Sequence, residues 1–269
     1  MQSYTDAGKI ADERSVHHNT RRRTTMSSNY IGNQRGNGLP ARAAVSDEAR
    51  RAEDAAFLRK VYAYMTAGLG ATGVVAMLVA SSEAALRVVL QRPLFTALVI
   101  GEILMVMAFA WLAPRMRAVG AAALFFVYAL MNGLTLSVIF VAYTKSSIAT
   151  AFFVTAGTFA GMSVYGFATK RDLSSMGSFL FMGLWGLILA GAVNLWLRSP
   201  MVTWVTTCAG VLVFVGLTAY DTQKIKQLNV IGNAGTDEDH KEAIHGALTL
   251  YLDFVNLFLY ILRLFGRRR

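Results

Sequence analysis

Ala-Leu-Thr-Leu-Tyr-Leu-Asp-Phe-Val-Asn-Leu-Phe-Leu-Tyr-Ile-Leu, residues 247–262, is the stretch on which the reading of this chain turns. With its flanks, from 244 to 265, it is long and apolar enough to cross a bilayer as helix, which takes about 20 residues. Yet Asp253 stands in its middle. A charged carboxylate at that depth costs roughly 2.5–3.5 kcal/mol on insertion scales, so such residues are usually kept for a task. Thr249, Asp253, Asn256 and Tyr260 follow one another at spacings of 4, 3 and 4 and so line up as one polar stripe on a helix. Lipid offers that stripe no hydrogen-bond partner, so other helices must enclose it.

The segment before it ends in a second acid. Asp221 lies in Thr-Ala-Tyr-Asp-Thr-Gln-Lys-Ile-Lys, residues 218–226, at the edge of another apolar run. Two carboxyls on consecutive hydrophobic segments point to a shared proton or a bound cation. The bland alternatives are an interfacial Asp221 paired with Lys224 and a protonated Asp253 bonded to its neighbours. Glu102, in Val-Ile-Gly-Glu-Ile-Leu-Met, is a third acid within an apolar run. It either lines a path for cations or protons, or bonds to an adjacent helix.

The chain as a whole fits a polytopic membrane protein. It is 55% hydrophobic and only 16% charged, and the charges crowd into the first sixty residues and a few short gaps. Seven spans are predicted at about 61–80, 94–113, 119–142, 147–168, 177–197, 202–220 and 244–265. The expected class is all-α, with six helices around a central C-terminal one. Pro93, Pro114 and Pro200 mark the borders. Gly157-x-x-x-Gly161 and Gly186-x-x-x-Ala190 are read as close helix-packing faces.

Residues 1–45 are polar and basic without hydrophobic periodicity, so a disordered tail is expected. Arg21-Arg22-Arg23 is followed by Thr-Thr-Met-Ser-Ser and not by an apolar run, so it does not read as a secretion signal. Residues 46–60 read as a short surface amphipathic helix capped by Ser46, and 61–269 as the membrane domain. With the N-terminus inside, the inner segments hold 18 Lys and Arg and the outer ones 8, which favours a cytosolic N-terminus. Arg263 and Arg267-Arg268-Arg269 then end up outside, against the trend.

Several classes drop out. The single Cys208 excludes an internal disulfide, and His17, His18, His240 and His245 all lie off mid-membrane, against a zinc site in the bundle. No tightly bound cofactor is expected. The net charge of +10 gathers toward the ends and reads as topology and anionic-lipid contact; nucleic-acid binding is not expected.

Three ordered motifs carry a family resemblance. They are Tyr-Gly-Phe-Ala-Thr-Lys-Arg-Asp-Leu-Ser-Ser-Met-Gly-Ser-Phe-Leu (165–180), Ala-Tyr-Asp-Thr-Gln-Lys-Ile-Lys (219–226) and Ala-Leu-Thr-Leu-Tyr-Leu-Asp-Phe-Val-Asn-Leu-Phe (247–258). The chain from about residue 50 resembles the Bax inhibitor family of transmembrane proteins, in its bacterial inner-membrane branch. That resemblance implies seven helices with the C-terminal one central, a pH-sensitive calcium leak, and in eukaryotic relatives suppression of cell death. It implies that Asp221 and Asp253 form the proton-sharing sensor, that Glu102 is the family's second-helix acid, and that Arg115 is the nearest match to an arginine latch.

Two carboxyls in hydrogen-bond range cannot both ionise cheaply where water is scarce, so such a pair titrates as a unit. Calcium takes several oxygen ligands, so Asp221 and Asp253, with Glu102, backbone carbonyls and water, would make a weak transit site. One geometric condition attaches. Asp253 lies nine residues beyond Ile244, about 14 Å at helical rise. It meets Asp221 only if the sixth helix runs on to about Lys226 or the seventh begins outside the bilayer. Two other readings stand beside the leak. One is an adaptor for other membrane proteins, such as a membrane protease. The other is an intramembrane aspartyl protease, against which the missing Gly-x-Gly-Asp and Pro-Ala-Leu contexts speak. The expected setting is a lipid bilayer, with calcium and protons as the passing ions and no catalysis.

Overall fold

Helix follows helix with short breaks from Asp47 onward. The structure, a computed structural model, describes residues 46–268, so the expected tail at 1–45 lies outside the described residues. The elements are α1 (Asp47–Ser81), α2 (Glu83–Val89), α3 (Arg92–Leu112), α4 (Ala118–Leu136), α5 (Ile139–Ala142), α6 (Lys145–Ala168), α7 (Ser174–Leu197), α8 (Pro200–Leu228) and α9 (Asp237–Phe265). A 3₁₀ turn, Ala113–Arg115, follows α3. Among the described residues they make seven segments long and apolar enough to cross a membrane, the third being α4 and α5 together, Ala118–Ala142.

Local sequence explains the borders. Pro93 and Pro200 fall in the first turn of α3 and α8, where the missing N–H breaks no helical bond. Ser199, Thr144 and Thr236 cap α8, α6 and α9 by accepting from the N–H of Val202, Ser147 and Asp239. The turn between α8 and α9 contains Gly232 and Gly235 at φ of 90° and 82°, a region that side chains with a Cβ rarely enter.

Two expectations are corrected here. Residues 46–60 form no separate surface helix: α1 runs unbroken from Asp47 to Ser81, and Phe57, Leu58 and Val61 are buried. An apolar stripe that continues in register with the first span gives the chain no reason to break. The chosen small-residue pairs are also not the contact faces, since a Cβ at Gly157, Gly161 or Gly186 would meet nothing within 4 Å. The close approaches are at Gly166, where a Cβ would strike the Ala219 carbonyl of α8, and at Gly177, where it would strike the Tyr220 ring. Lipid tails supply no hydrophobic drive between helices, so contacts of this kind and interhelical hydrogen bonds hold the bundle.

Enclosure differs sharply along the chain. The apolar window of α9 is 56% buried, against 6% for α3 and 11% for α7. The rings of Phe125 and Tyr128 from α4 meet Tyr251 of α9 edge-on, with centroids 5.7 and 5.8 Å away. Phe159 of α6 meets Phe254 at 5.4 Å, and Phe214 of α8 stacks with Tyr260 at 5.7 Å. The last helix therefore touches α4, α6 and α8 through its own aromatic residues. At the far end the chain past α9 is tied to the α5–α6 turn: Thr144 N–H donates to the Arg267 carbonyl at 3.2 Å, and Arg267 N–H to Ser147 Oγ at 3.0 Å.

Candidate functional site

α8 runs to Leu228 and α9 starts at Asp237, so both meet the condition on the two aspartates. Asp221 and Asp253 are each 5% exposed, and their carboxyl groups interact side chain to side chain. The hydroxyls around Asp221 are spent on their own helix. Thr218 Oγ donates to the Phe214 carbonyl at 2.8 Å and Thr222 Oγ to the Thr218 carbonyl at 2.7 Å. Oδ2 of Asp253 is buried and receives no hydrogen bond among the described residues. A buried carboxylate oxygen without a donor is costly, and a proton between the two carboxyls would supply one.

Lys224 does not form an ion pair with Asp221 among the described residues; its ammonium lies over the Tyr220 ring at 5.7 Å. Arg115 is not brought to the aspartates either. It is exposed, and its guanidinium lies over Trp111 at 4.3 Å. The 3₁₀ turn that follows α3 sends Arg115 back along its own helix.

Glu102 sits in a different network. Thr135 Oγ donates to it at 2.7 Å, and Asn132 Nδ2 lies at 3.5 Å. Asn132 Oδ1 accepts from the Tyr251 hydroxyl at 3.2 Å, and that hydroxyl is 2.6 Å from Thr72 Oγ. Among the described residues no three His, Cys, Asp or Glu side chains gather as metal ligands, so Glu102 does not join the aspartates in one set. The polar stripe divides as well. Thr249 and Asn256 bond to carbonyls one turn earlier, at 3.2 and 2.8 Å, while Tyr260 packs on Phe214.

Sequence reasoning missed the residues that fasten the site. Gln223, two residues past Asp221, accepts from Leu173 N–H and donates to the Arg171 carbonyl, both at 2.9 Å. Lys226 donates to the Phe167 carbonyl at 3.2 Å. Two bonds reach α1: Asp239, in the first turn of α9, pairs with Lys60, and Asn229, just past α8, donates to Asp54 at 2.9 Å. Asp237 accepts from Ala118 N–H at 3.0 Å. For Gln223 and Lys226 the signal was in the motifs, since both lie in 219–226 and bind backbone at or beside 165–180; the bonds of Lys60, Asn229, Asp237 and Asp239 had none.

Seven apolar crossings around buried carboxyls define a multi-pass helical membrane protein. The family described as inhibitor of apoptosis-promoting Bax1 matches residues 54–269, and the chain belongs to it. It is 47% identical over 215 residues to the inner membrane protein YbhL of Escherichia coli, covering 79% of this chain and 92% of that one. It is 44% identical to the uncharacterized protein RP147 of Rickettsia prowazekii, over 79% of this chain and 90% of that one. An uncharacterized protein of Borreliella burgdorferi is 41% identical, over 79% and 92%.

Proposed function

We propose that this protein is a pH-responsive calcium leak of the bacterial inner membrane, closed by a proton shared between Asp221 and Asp253. α9 would be the hub around which the other spans gather, and the N-terminal end would face the cytosol. The observation that supports the reading is that Asp221 and Asp253 are both buried, on helices that pack together, while one oxygen of Asp253 finds no donor among the described residues. Such a pair has one economical state, with a single proton between the groups. Adding or removing charge there loosens the hold between α8 and α9, the two helices that Gln223, Lys226 and Asp239 anchor to the rest. Calcium fits the chemistry as cargo, because carboxylates and exposed carbonyls are hard oxygen ligands and two carboxylates bind too weakly to store it. A role in stress tolerance would follow from a leak that answers to pH.

The test is calcium flux through the full chain in proteoliposomes across a pH series. Flux that changes with pH, and loses that dependence in Asp221→Asn and Asp253→Asn, supports the leak. No flux at any pH, together with retention of another membrane protein, supports the adaptor reading. Cleavage of a peptide that both substitutions abolish supports the protease.

A further inference from the structure

We infer that the furrow between α1 and α6 is a binding site for an anionic glycerophospholipid, with the phosphate at Arg59 and an acyl chain along the trough. The furrow is a cleft of about 860 Å³ walled by α1 and α6, with Phe254 of α9 also lining it. It continues into a second cleft of about 510 Å³ that shares Leu69, Gly73, Met77, Phe152 and Phe254.

Three features in a fixed order point to the occupant. At the rim stands Arg59, exposed and, among the described residues, the only charged one lining the first cleft. No hydrogen bond, ion pair or ring contact engages it among the described residues, whereas its neighbour Lys60 is bound to Asp239. Further in is Ser163, five residues before the end of α6 at Ala168 and so about 7 Å inside. It lines the same cleft at 6% exposure, and its Oγ has no partner among the described residues. The buried Thr155, Thr218 and Thr222 all donate to the carbonyl four residues earlier, so this free hydroxyl is unusual here. Beyond it the walls are apolar apart from Thr66. Gly70 and Gly73 open them, since a Cβ at either would meet nothing within 4 Å.

Cation, hydroxyl and trough follow the order of phosphate, ester carbonyl and acyl chain. The length agrees too: one leaflet's hydrocarbon is about 15 Å, or about ten residues of helix, so a chain rooted at Arg59 runs out near Gly70. Free phosphate would leave the trough unused, and a neighbouring helix would leave Arg59 without an anion. The furrow also reaches both aspartate helices. Phe254 adjoins Asp253, and the hydroxyl of Tyr62, another lining residue, is 3.4 Å from Thr222 Oγ beside Asp221.

The experiment is native mass spectrometry of the purified full chain in detergent, with phosphatidylglycerol and phosphatidylcholine of identical acyl chains added in competition. Retention of phosphatidylglycerol should exceed that of phosphatidylcholine about tenfold, the factor one charge-assisted contact supplies. Arg59→Gln should erase the preference and leave weak, equal retention. Ser163→Ala should lower retention of both lipids. Gly70→Leu, which fills the trough, should remove both, and Val164→Trp fills it from the opposite wall if Gly70→Leu does not fold. Equal retention of the two lipids by the unaltered protein overturns the proposal. So does unchanged retention in both filled variants. A lipid-free dimer that the filled variants dissociate would give the furrow to a second copy instead, and a co-purifying polypeptide they release would give it to a protein partner.

Discussion

Glu102 and the Asp221–Asp253 pair are both acids within spans, yet their surroundings differ in kind. Around Glu102 are neutral donors: Thr135, Asn132 and, through Asn132, Tyr251 and Thr72. Around Asp253 the polar neighbour is another carboxyl, and its Oδ2 has no donor among the described residues. The first arrangement satisfies an acid and glues α3 to α4 and α9. The second would be satisfied by a proton shared between the two carboxyls, as proposed above. Intramembrane carboxylates are therefore to be told apart by what donates to them and not by their depth.

The largest expected effect breaks the pair. Asp253→Asn or Asp221→Asn should abolish most of the pH dependence of calcium flux in proteoliposomes, because the amide keeps the size and loses the shared proton. The double substitution should add little to either single one, as for two residues acting as a unit. Two single variants with unaltered pH profiles would sink the sensor, and additive effects would make the aspartates independent groups.

Next comes the scaffold that holds Asp221 in place. Gly166→Val drives a Cβ and more into the Ala219 carbonyl, where backbone and not a flexible side chain must yield. A loss of about 1–3 kcal/mol is expected from such overpacking, against under about 0.5 kcal/mol for Gly157→Val at its open position. Thermal unfolding in detergent compares the two, and equal midpoints would remove Gly166 from the account. Asp239→Asn should follow. It takes the negative charge, buried at 2% exposure, away from Lys60 and leaves one amide oxygen to accept, so the loss should stay below the about 1.5–3 kcal/mol of a hydrogen bond to a charged group. Faster proteolysis of the turn at residues 229–236 is the measurement.

Glu102→Gln should do least. Its donors can still reach one amide oxygen, so unfolding should shift by under about 1 kcal/mol. If Glu102 lies on the cation path, flux falls while the pH midpoint stays. Unchanged flux would leave it as an interhelical contact, and a moved midpoint would tie the two networks together.

Much of this comparison could be read from the residues in order, and some of it could not. The seven crossings were legible because apolar runs of span length broken by proline and charge leave few alternatives. The family was legible from three motifs. Helix ends were not: hydropathy stops where the chain turns polar, at about 220 and 244, while α8 and α9 continue beyond both limits. Hydrogen bonding inside a helix does not depend on apolar side chains, so the overhangs were invisible to a hydropathy window. Contact faces were also hidden, because a small residue in a span reads the same whether it faces Ala219, as Gly166 does, or open space, as Gly157 does. Arg115 shows a further limit, since position in the chain places a guanidinium near a depth and not against a partner.

The last helix is pinned at both ends. Asp237 and Asp239 hold one to α4 and α1, and Arg267 holds the chain beyond the other to the Thr144–Ser147 turn. A rod clamped at its two tips cannot piston; it can only bow, or stay still while its neighbours swing. In the gate proposed above, α9 would then be the fixed post, and α8 the part that swings once its ties through Gln223, Lys226 and Asn229 give way. Spin labels at Glu238 and Ser146 should keep their separation across pH, while a pair linking Lys224 to Glu238 should not.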